Sequence, residues 1–236
     1  MLLAAGLGTR LKPFTDKHPK ALAVVNGKTL LQHNIEYLQQ FGITDVVVNV
    51  HHFAAQIEDA VLQHQGFGSC ITISDERDAV LETGGGILKA APHFIHEKAF
   101  VVMNVDVLTR FDLRRLIAAH NTAAIATLAV MQRPSSRQLL FDTHMTLCGW
   151  RNNNTAETKT SLHHTNTTAF AFSGIQVVSP AIFNMPFEGK FSIIDVYLHY
   201  AKEALVKGYD HTGDVFIDVG KPESIEKASL LFQTEK

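Results

Sequence analysis

Apolar and polar positions follow two rhythms along the 236 residues. In the first half, short apolar runs alternate with stretches of helical spacing. Leu2–Ala5 is apolar and stops at Gly6, as a buried strand feeding a loop does. It is shorter than the usual strand of about five or six residues, which suits a trimmed or late-starting chain. Leu30, Leu31, Asn34, Ile35, Leu38 and Phe41 recur at helical spacing, with Gly42 as the stop. Asp45–Val50 is a near-continuous apolar run and reads as a strand buried on both faces. A helix over Ala54–His64, a short strand over Ile71–Ser74 and a brief helix over Gly84–Ala91 closed by Pro92 follow. Phe100–Val105 is the next buried strand, then a helix from Asp112 to His120 and an apolar, strand-compatible run over Ala123–Met131.

From Pro134 to Thr168 the chain turns polar, rich in Asn, Thr, Ser and His. Strand-like pieces at Leu139–Asp142 and Thr146–Trp150 predict an antiparallel excursion, with a mobile loop over Arg151–Thr160. Ala169–Ser179 resumes as a core strand. A helix over Ile193–Val206, a strand over Val215–Val219 and a helix over Glu223–Phe232 complete the pattern. Strands alternating with helices imply a parallel sheet with right-handed crossovers, and ligands on such sheets bind beyond the carboxyl ends of the strands.

Composition narrows the class. Apolar residues make up 46% and charged residues 19%, which excludes a disordered chain. A net charge of -2 argues against a nucleic-acid binder or a surface for anionic membranes. No apolar run reaches the roughly 18 residues that span a bilayer, and the first residues lack the charged start and long apolar core expected of a signal peptide. Cys70 and Cys148 lack zinc-like spacing and read as reduced thiols of a cytoplasmic protein. His51-His52 and His163-His164 also lack a ligand spacing and read as surface or hydrogen-bonding groups.

The chemistry concentrates behind the first strand, in "GLGTRLKPFTDKHPKAL". A dinucleotide fingerprint fails here. Leu11 stands at its third glycine, and the next strand ends in Asn49, Val50 and His51 without a carboxylate for a ribose. A Walker loop fails too: Gly27-Lys28-Thr29 forms its tail, but Leu22 holds the position of its first glycine. What remains is a set of glycines, which admit phosphates to backbone N–H groups, with Arg10 as a planar fork and Lys20 as a point charge behind Pro19. Farther on, Asp106 and Asp218 each end an apolar run, so both project from the carboxyl edge of a sheet. Hard carboxylate oxygens of this kind suit Mg2+, although either aspartate alone serves equally as a loop cap or ion-pair partner.

The segment "LAAGLGTRLKPFTDKHPKAL" resembles the signature of the sugar-1-phosphate nucleotidyltransferases, G-x-G-[ST]-R-[LM]-x-P-x-T-x-x-x-P-K-x-L, and meets every fixed position from Gly6 to Leu22. The likeness continues through "LETGGGILKA", "NVDVL" and "FIDVGKPE". It implies a Rossmann-like three-layer α/β fold with a mostly parallel central sheet. It also implies a single domain over 1–236 without a C-terminal β-helix. The activity implied is transfer of a nucleotidyl group from a nucleoside triphosphate to a sugar 1-phosphate, with Mg2+ held by Asp106 and Asp218. Arg10 and Lys20 would be the catalytic cations. Leu3, Ala4, Ala5, Gly6, Gly8 and Thr9, with Glu82, Thr83 and Gly84, would surround the nucleotide.

Asn104, Gly174 and Asp195 are the sugar candidates. Asp195 is explained as well by a place in a first helical turn. Arg137 is a candidate for the sugar phosphate and equally an exposed loop arginine. Val105 replaces the glycine that often precedes the first aspartate in the family. Short length, the "TGGGI" loop and the "N-x-D-V" motif are most similar to the N-acetylmuramate 1-phosphate uridylyltransferases, so UTP is the expected nucleotide. Mannose- or heptose-1-phosphate guanylyltransferases share much of the pattern. A non-catalytic nucleotide-sugar-binding subunit is the reading from another class, and the complete Arg10, Lys20, Asp106 and Asp218 set argues against it.

Overall fold

The first strand, β1 (Leu2–Leu3), ends where the buried Asn49 side chain takes over its hydrogen bonds. Asn49 Oδ1 accepts the N–H groups of Ala4 at 2.6 Å and Ala5 at 3.3 Å, so these residues leave the ladder. The computed structural model describes residues 1–184, 186–203 and 205–233. After β1 come β2 (Val24–Val25), β3 (Lys28–Thr29), α1 (Leu30–Gln39), β4 (Asp45–Val50), α2 (Ala54–Gln63), β5 (Cys70–Asp75), α3 (Glu82–Lys89) and β6 (Phe100–Asn104). Then follow β7 (Val107–Thr109), α4 (Leu113–Ala119), β8 (Ala126–Met131), β9 (Arg137–Phe141), β10 (Leu147–Asn152), β11 (Thr158–Thr160) and β12 (Thr168–Val178). The last elements are α5 (Ile193–Ala201), β13 (Val206–Asp210), β14 (Phe216–Asp218) and α6 (Pro222–Leu231).

The α/β class read from the alternation is observed, with largely parallel strands and small antiparallel sheets. The chain divides into two compact units. The first comprises Met1–Glu82, Met103–Phe111 and the chain from Val215 onward; the second comprises Thr83–Val102 and Asp112–Asp214. In the first unit β1 lies between β4 and the end of β6, parallel to both, with Leu3 opposite Asn49 and Asn104. β5 continues the parallel order beside β4. Helix α1 is capped by Thr29, whose hydroxyl accepts the Gln32 N–H at 3.1 Å. Its buried Asn34 donates to the Val105 carbonyl at 2.8 Å, which ties the helix to the turn after β6. Leu11, Val25, Leu30, Leu108 and Val219 form an apolar cluster beneath the signature loop.

In the second unit β8 pairs parallel with β13 and antiparallel with β12, and β12, β9, β10 and β11 continue antiparallel. Three expectations change here. The helix read across 193–206 stops at Ala201, and Val206–Asp210 forms strand β13 against β8. Position 204, also read as helical, lies outside the described residues. The loop expected over 151–160 is largely taken up by β10 and β11, because Gly149 lets the Lys159 carbonyl approach to where a Cβ would stand 2.6 Å away. The short helix starts at Glu82 rather than Gly84 and ends before Pro92, which sits in a 3-10 turn over Ala91–His93.

In the first unit the closing strand differs as well. β14 pairs antiparallel with β7 in a two-stranded ribbon, so Asp218 ends a ribbon strand rather than a strand of the main sheet.

Candidate active site

The signature loop winds through three short 3-10 turns, Thr9–Leu11, Phe14–Asp16 and Lys20–Leu22. Gly8 sits ahead of the first at φ 61, in the left-handed region. A Cβ there would stand 2.8 Å from Thr15 Cγ2 and 3.1 Å from Lys20 Cβ, so glycine is required by both conformation and space. Thr15 reinforces the turn, its hydroxyl donating to the Gly8 carbonyl at 2.9 Å. Gly6 is different: it is exposed and nothing lies within 4 Å of a Cβ built on it, so the backbone there is open to a ligand.

Pro19 holds an extended backbone, at ψ 145, and turns the chain so that Lys20 points inward. Lys20 is 8% exposed, and its ammonium forms an ion pair with Asp106 Oδ2. Asp106 lies just beyond β6, in the turn to β7. The β7–β14 ribbon sets Asp218 opposite Val107, and the Val219 N–H donates to the Asp106 carbonyl at 2.8 Å. Arg10 reaches the same place. A Cβ on Gly220 would stand 2.5 Å from Asp218 Oδ1 and 2.9 Å from Arg10 Nη2, so carboxylate and guanidinium converge over the Gly220 α-carbon. Arg10, Lys20, Asp106 and Asp218 therefore gather within the first unit. The carboxylates of Asp106 and Asp218 are hard oxygen donors of the kind Mg2+ prefers, an ion that takes one or two carboxylates and completes its shell with phosphate and water.

Of the nucleotide candidates, Leu3 to Thr9 lie in this unit. Glu82 does too, exposed and at φ 58, a left-handed conformation uncommon outside glycine. Thr83 and Gly84 belong to the second unit. The Thr83 hydroxyl accepts the Ile193 N–H at 3.0 Å at the start of α5. Gly84 donates its N–H to the Phe191 carbonyl at 3.0 Å and lies flat against the Phe191 ring, which leaves no room for a Cβ.

Among the sugar candidates, Asn104 ends β6 in the first unit, half-buried. The others are in the second unit. Gly174 is buried at φ 70 within the bulged stretch of β12 between Phe172 and Gln176, a conformation that favours glycine. Asp195 stands in the first turn of α5, where Lys159 Nζ donates to its Oδ1 at 3.0 Å. Arg137 is exposed at the start of β9.

Sequence reasoning missed two supporting groups. Asn49 Nδ2 donates to Glu76 Oε1 at 2.7 Å, and both residues are buried. This contact orients the carboxamide so that Oδ1 holds the Ala4–Ala5 backbone. An asparagine inside the apolar run "DVVVNV" was the available signal. Gly220, directly after "DV", was the other.

This loop, with its cations and paired carboxylates on an α/β frame, is the arrangement of a nucleotidyl transferase. A family model of that description, Nucleotidyl transferase, matches residues 1–141, and the chain belongs to this family, among the sugar-1-phosphate nucleotidyltransferases. It is 31% identical to the N-acetylmuramate alpha-1-phosphate uridylyltransferase of Neisseria meningitidis over 98% of this chain and 96% of that protein. It is 45% identical over 108 residues to a protein of the same name from Caulobacter vibrioides, an alignment covering 45% of this chain and 44% of the relative. It superposes with a TM-score of 0.78, at 25% identity over 98% of both chains, on HddC from Yersinia pseudotuberculosis complexed with GMP-PN. No helix among the described residues is long and apolar enough to cross a membrane.

Proposed function

We propose that this chain transfers a uridylyl group from UTP to N-acetylmuramate 1-phosphate, giving a nucleotide-sugar and pyrophosphate. The observation that carries the reading is the gathering of Arg10, Lys20, Asp106 and Asp218 at the signature loop. A phosphate oxygen of the sugar 1-phosphate attacks the α-phosphorus in line. The bond from the α-phosphorus to the oxygen bridging to the β-phosphate breaks, and pyrophosphate carries away the charge. The nucleophile is already anionic, so no general base is needed. Positioning and charge neutralisation supply the catalysis.

Arg10 holds the β- and γ-phosphates. Lys20 turns from Asp106 toward the α-phosphate and the sugar phosphate. Asp106 and Asp218 would hold Mg2+, which neutralises charge shared between the two substrates. The open backbone at Gly6, with the Ala4–Ala5 segment held by Asn49, borders the base. Within the first unit, Asn104 at the end of β6 is assigned to the sugar.

The two uridylyltransferase relatives support UTP and N-acetylmuramate 1-phosphate. The GMP-PN held by HddC, with relatives named mannose-1-phosphate guanyltransferase and D-glycero-alpha-D-manno-heptose 1-phosphate guanylyltransferase, supports a second reading, a guanylyltransferase acting on mannose or heptose 1-phosphate. The test is a matrix of four nucleoside triphosphates against these sugar 1-phosphates, scored by pyrophosphate release with Mg2+ and with EDTA. Turnover is expected with UTP and N-acetylmuramate 1-phosphate, abolished by EDTA and restored by Mg2+. Preference for GTP would favour the second reading, and no turnover in any cell of the matrix would leave only a binding role.

A further inference from the structure

We propose a second metal site, separate from the carboxylate pair above, in which Asp142, Cys148 and His164 hold one zinc-class divalent cation. One carboxylate oxygen, one sulfur and one imidazole nitrogen from these residues all lie within 4.8 Å of one another, and Asp142 and Cys148 are buried. The chain builds the site from three places. Asp142 follows β9 and opens the turn into β10. Its Oδ1 accepts the N–H groups of His144 at 2.9 Å and Thr146 at 2.8 Å, which fixes the carboxylate and turns Oδ2 toward His164 Nε2, 3.5 Å away. Cys148 lies in β10, with Sγ 3.3 Å from the Thr146 carbonyl. His164 comes from the polar stretch between β11 and β12, and its side chain is 41% exposed.

The donor set selects the ion. A thiol with an imidazole and one carboxylate suits Zn2+ and its borderline neighbours, not Mg2+ or Ca2+, which prefer oxygen alone. Tetrahedral zinc with bonds of about 2.0–2.3 Å sets its ligand atoms roughly 3.3–3.7 Å apart. The Asp142–His164 distance already meets that, and the exposed His164 has room to close on the sulfur. Backbone N–H groups donating to a ligating carboxylate are the outer support that metal sites use to orient their ligands. Solvent on the His164 side supplies the fourth ligand.

The spacing of Cys148 and His164 shows none of this, because the third ligand precedes both from the turn after β9. The role is a clasp. A cation here closes the chain from β10 to His164 into a loop around β11, the strand from which Lys159 reaches Asp195. It goes beyond the transferase reading and does not depend on it.

The experiment uses untagged full-length protein, stripped with chelator and titrated with Co2+ and Zn2+ in excess Mg2+ to occupy oxygen-only sites. The wild type is expected to take one equivalent, with a thiolate-to-cobalt charge-transfer band and tetrahedral d–d absorption. Cys148→Ser should lose the charge-transfer band. His164→Gln changes an exposed side chain and should leave the circular dichroism spectrum intact. It should weaken Zn2+ by more than the roughly 10–100-fold that follows loss of a ligand's supporting contact. Cobalt binding without a thiolate band, or equal Zn2+ affinity in wild type and His164→Gln, overturns the proposal.

Discussion

Lys20 and Asp106 form a nearly dry ion pair at the heart of the signature loop, with side chains 10% and 16% exposed. Breaking such a pair strands the remaining charge, so each partner also holds the other in position. Lys20→Ala is expected to lower turnover by on the order of 10²–10³ in a pyrophosphate-release assay, the usual effect of losing one electrostatic contact to a transition state. Turnover close to wild type, with the fold verified, would remove Lys20 from the mechanism. Gly8 and Gly6 separate conformation from ligand access. Gly8→Ala meets both a left-handed backbone and the Thr15 and Lys20 side chains, and should cost about 1–3 kcal/mol in denaturant unfolding. Gly6→Ala meets nothing within 4 Å, so its stability should stay within about 0.5 kcal/mol of wild type while turnover falls. Both glycines stand out in the sequence as one G-x-G motif, yet only the backbone angle and the neighbours at Gly8 tell their duties apart.

Secondary elements were legible where one face or one run was apolar. Helix α1 and strand β4 lie within two residues of their expected bounds. Polar strands were not legible. β11 reads Thr-Lys-Thr and is exposed throughout, so no hydrophobic alternation announces it; it exists because β10 offers an edge and Gly149 offers space. Gly149→Ala places a methyl group against the Lys159 carbonyl and should pry β11 from β10. Limited trypsin digestion is then expected to cut after Lys159 several-fold faster than in the wild type, and an unchanged rate would show that β11 docks by other means. β13 was missed because the helix was read up to its first residue, Val206, and Lys207–Asp210 show no apolar alternation to announce a strand.

Across the molecule, pH acts through buried groups. In the second unit His211 is buried, hydrogen-bonded to Ser173 at 2.6 Å, and burial pushes its pKa below the ordinary value, with Asp214 and Asp210 opposing. The unfolded chain therefore binds the proton more tightly. Stability from this residue is full above about pH 6.5 and is lost as the pH falls below it. The stability gap between wild type and His211→Gln should narrow from pH 7 to pH 5 in parallel denaturant titrations; a gap that widened would reverse the sign assigned here.

Periodicity and turn chemistry are local, so the amino-acid order alone specified the α/β alternation, the glycine loop with its cations, and the family. Pairings between distant segments depend on strand register and on which chain ends meet. For that reason only the folded chain decided that Lys20 rests on Asp106, and that a two-stranded ribbon brings Asp218 to it. Asn49 holding the first loop and Cys148 meeting His164 and Asp142 have the same origin. Except for the short turn between Asp142 and Cys148, these contacts need loops closed over many residues, and the entropic cost is met by the packing of a whole unit, which no window of sequence contains.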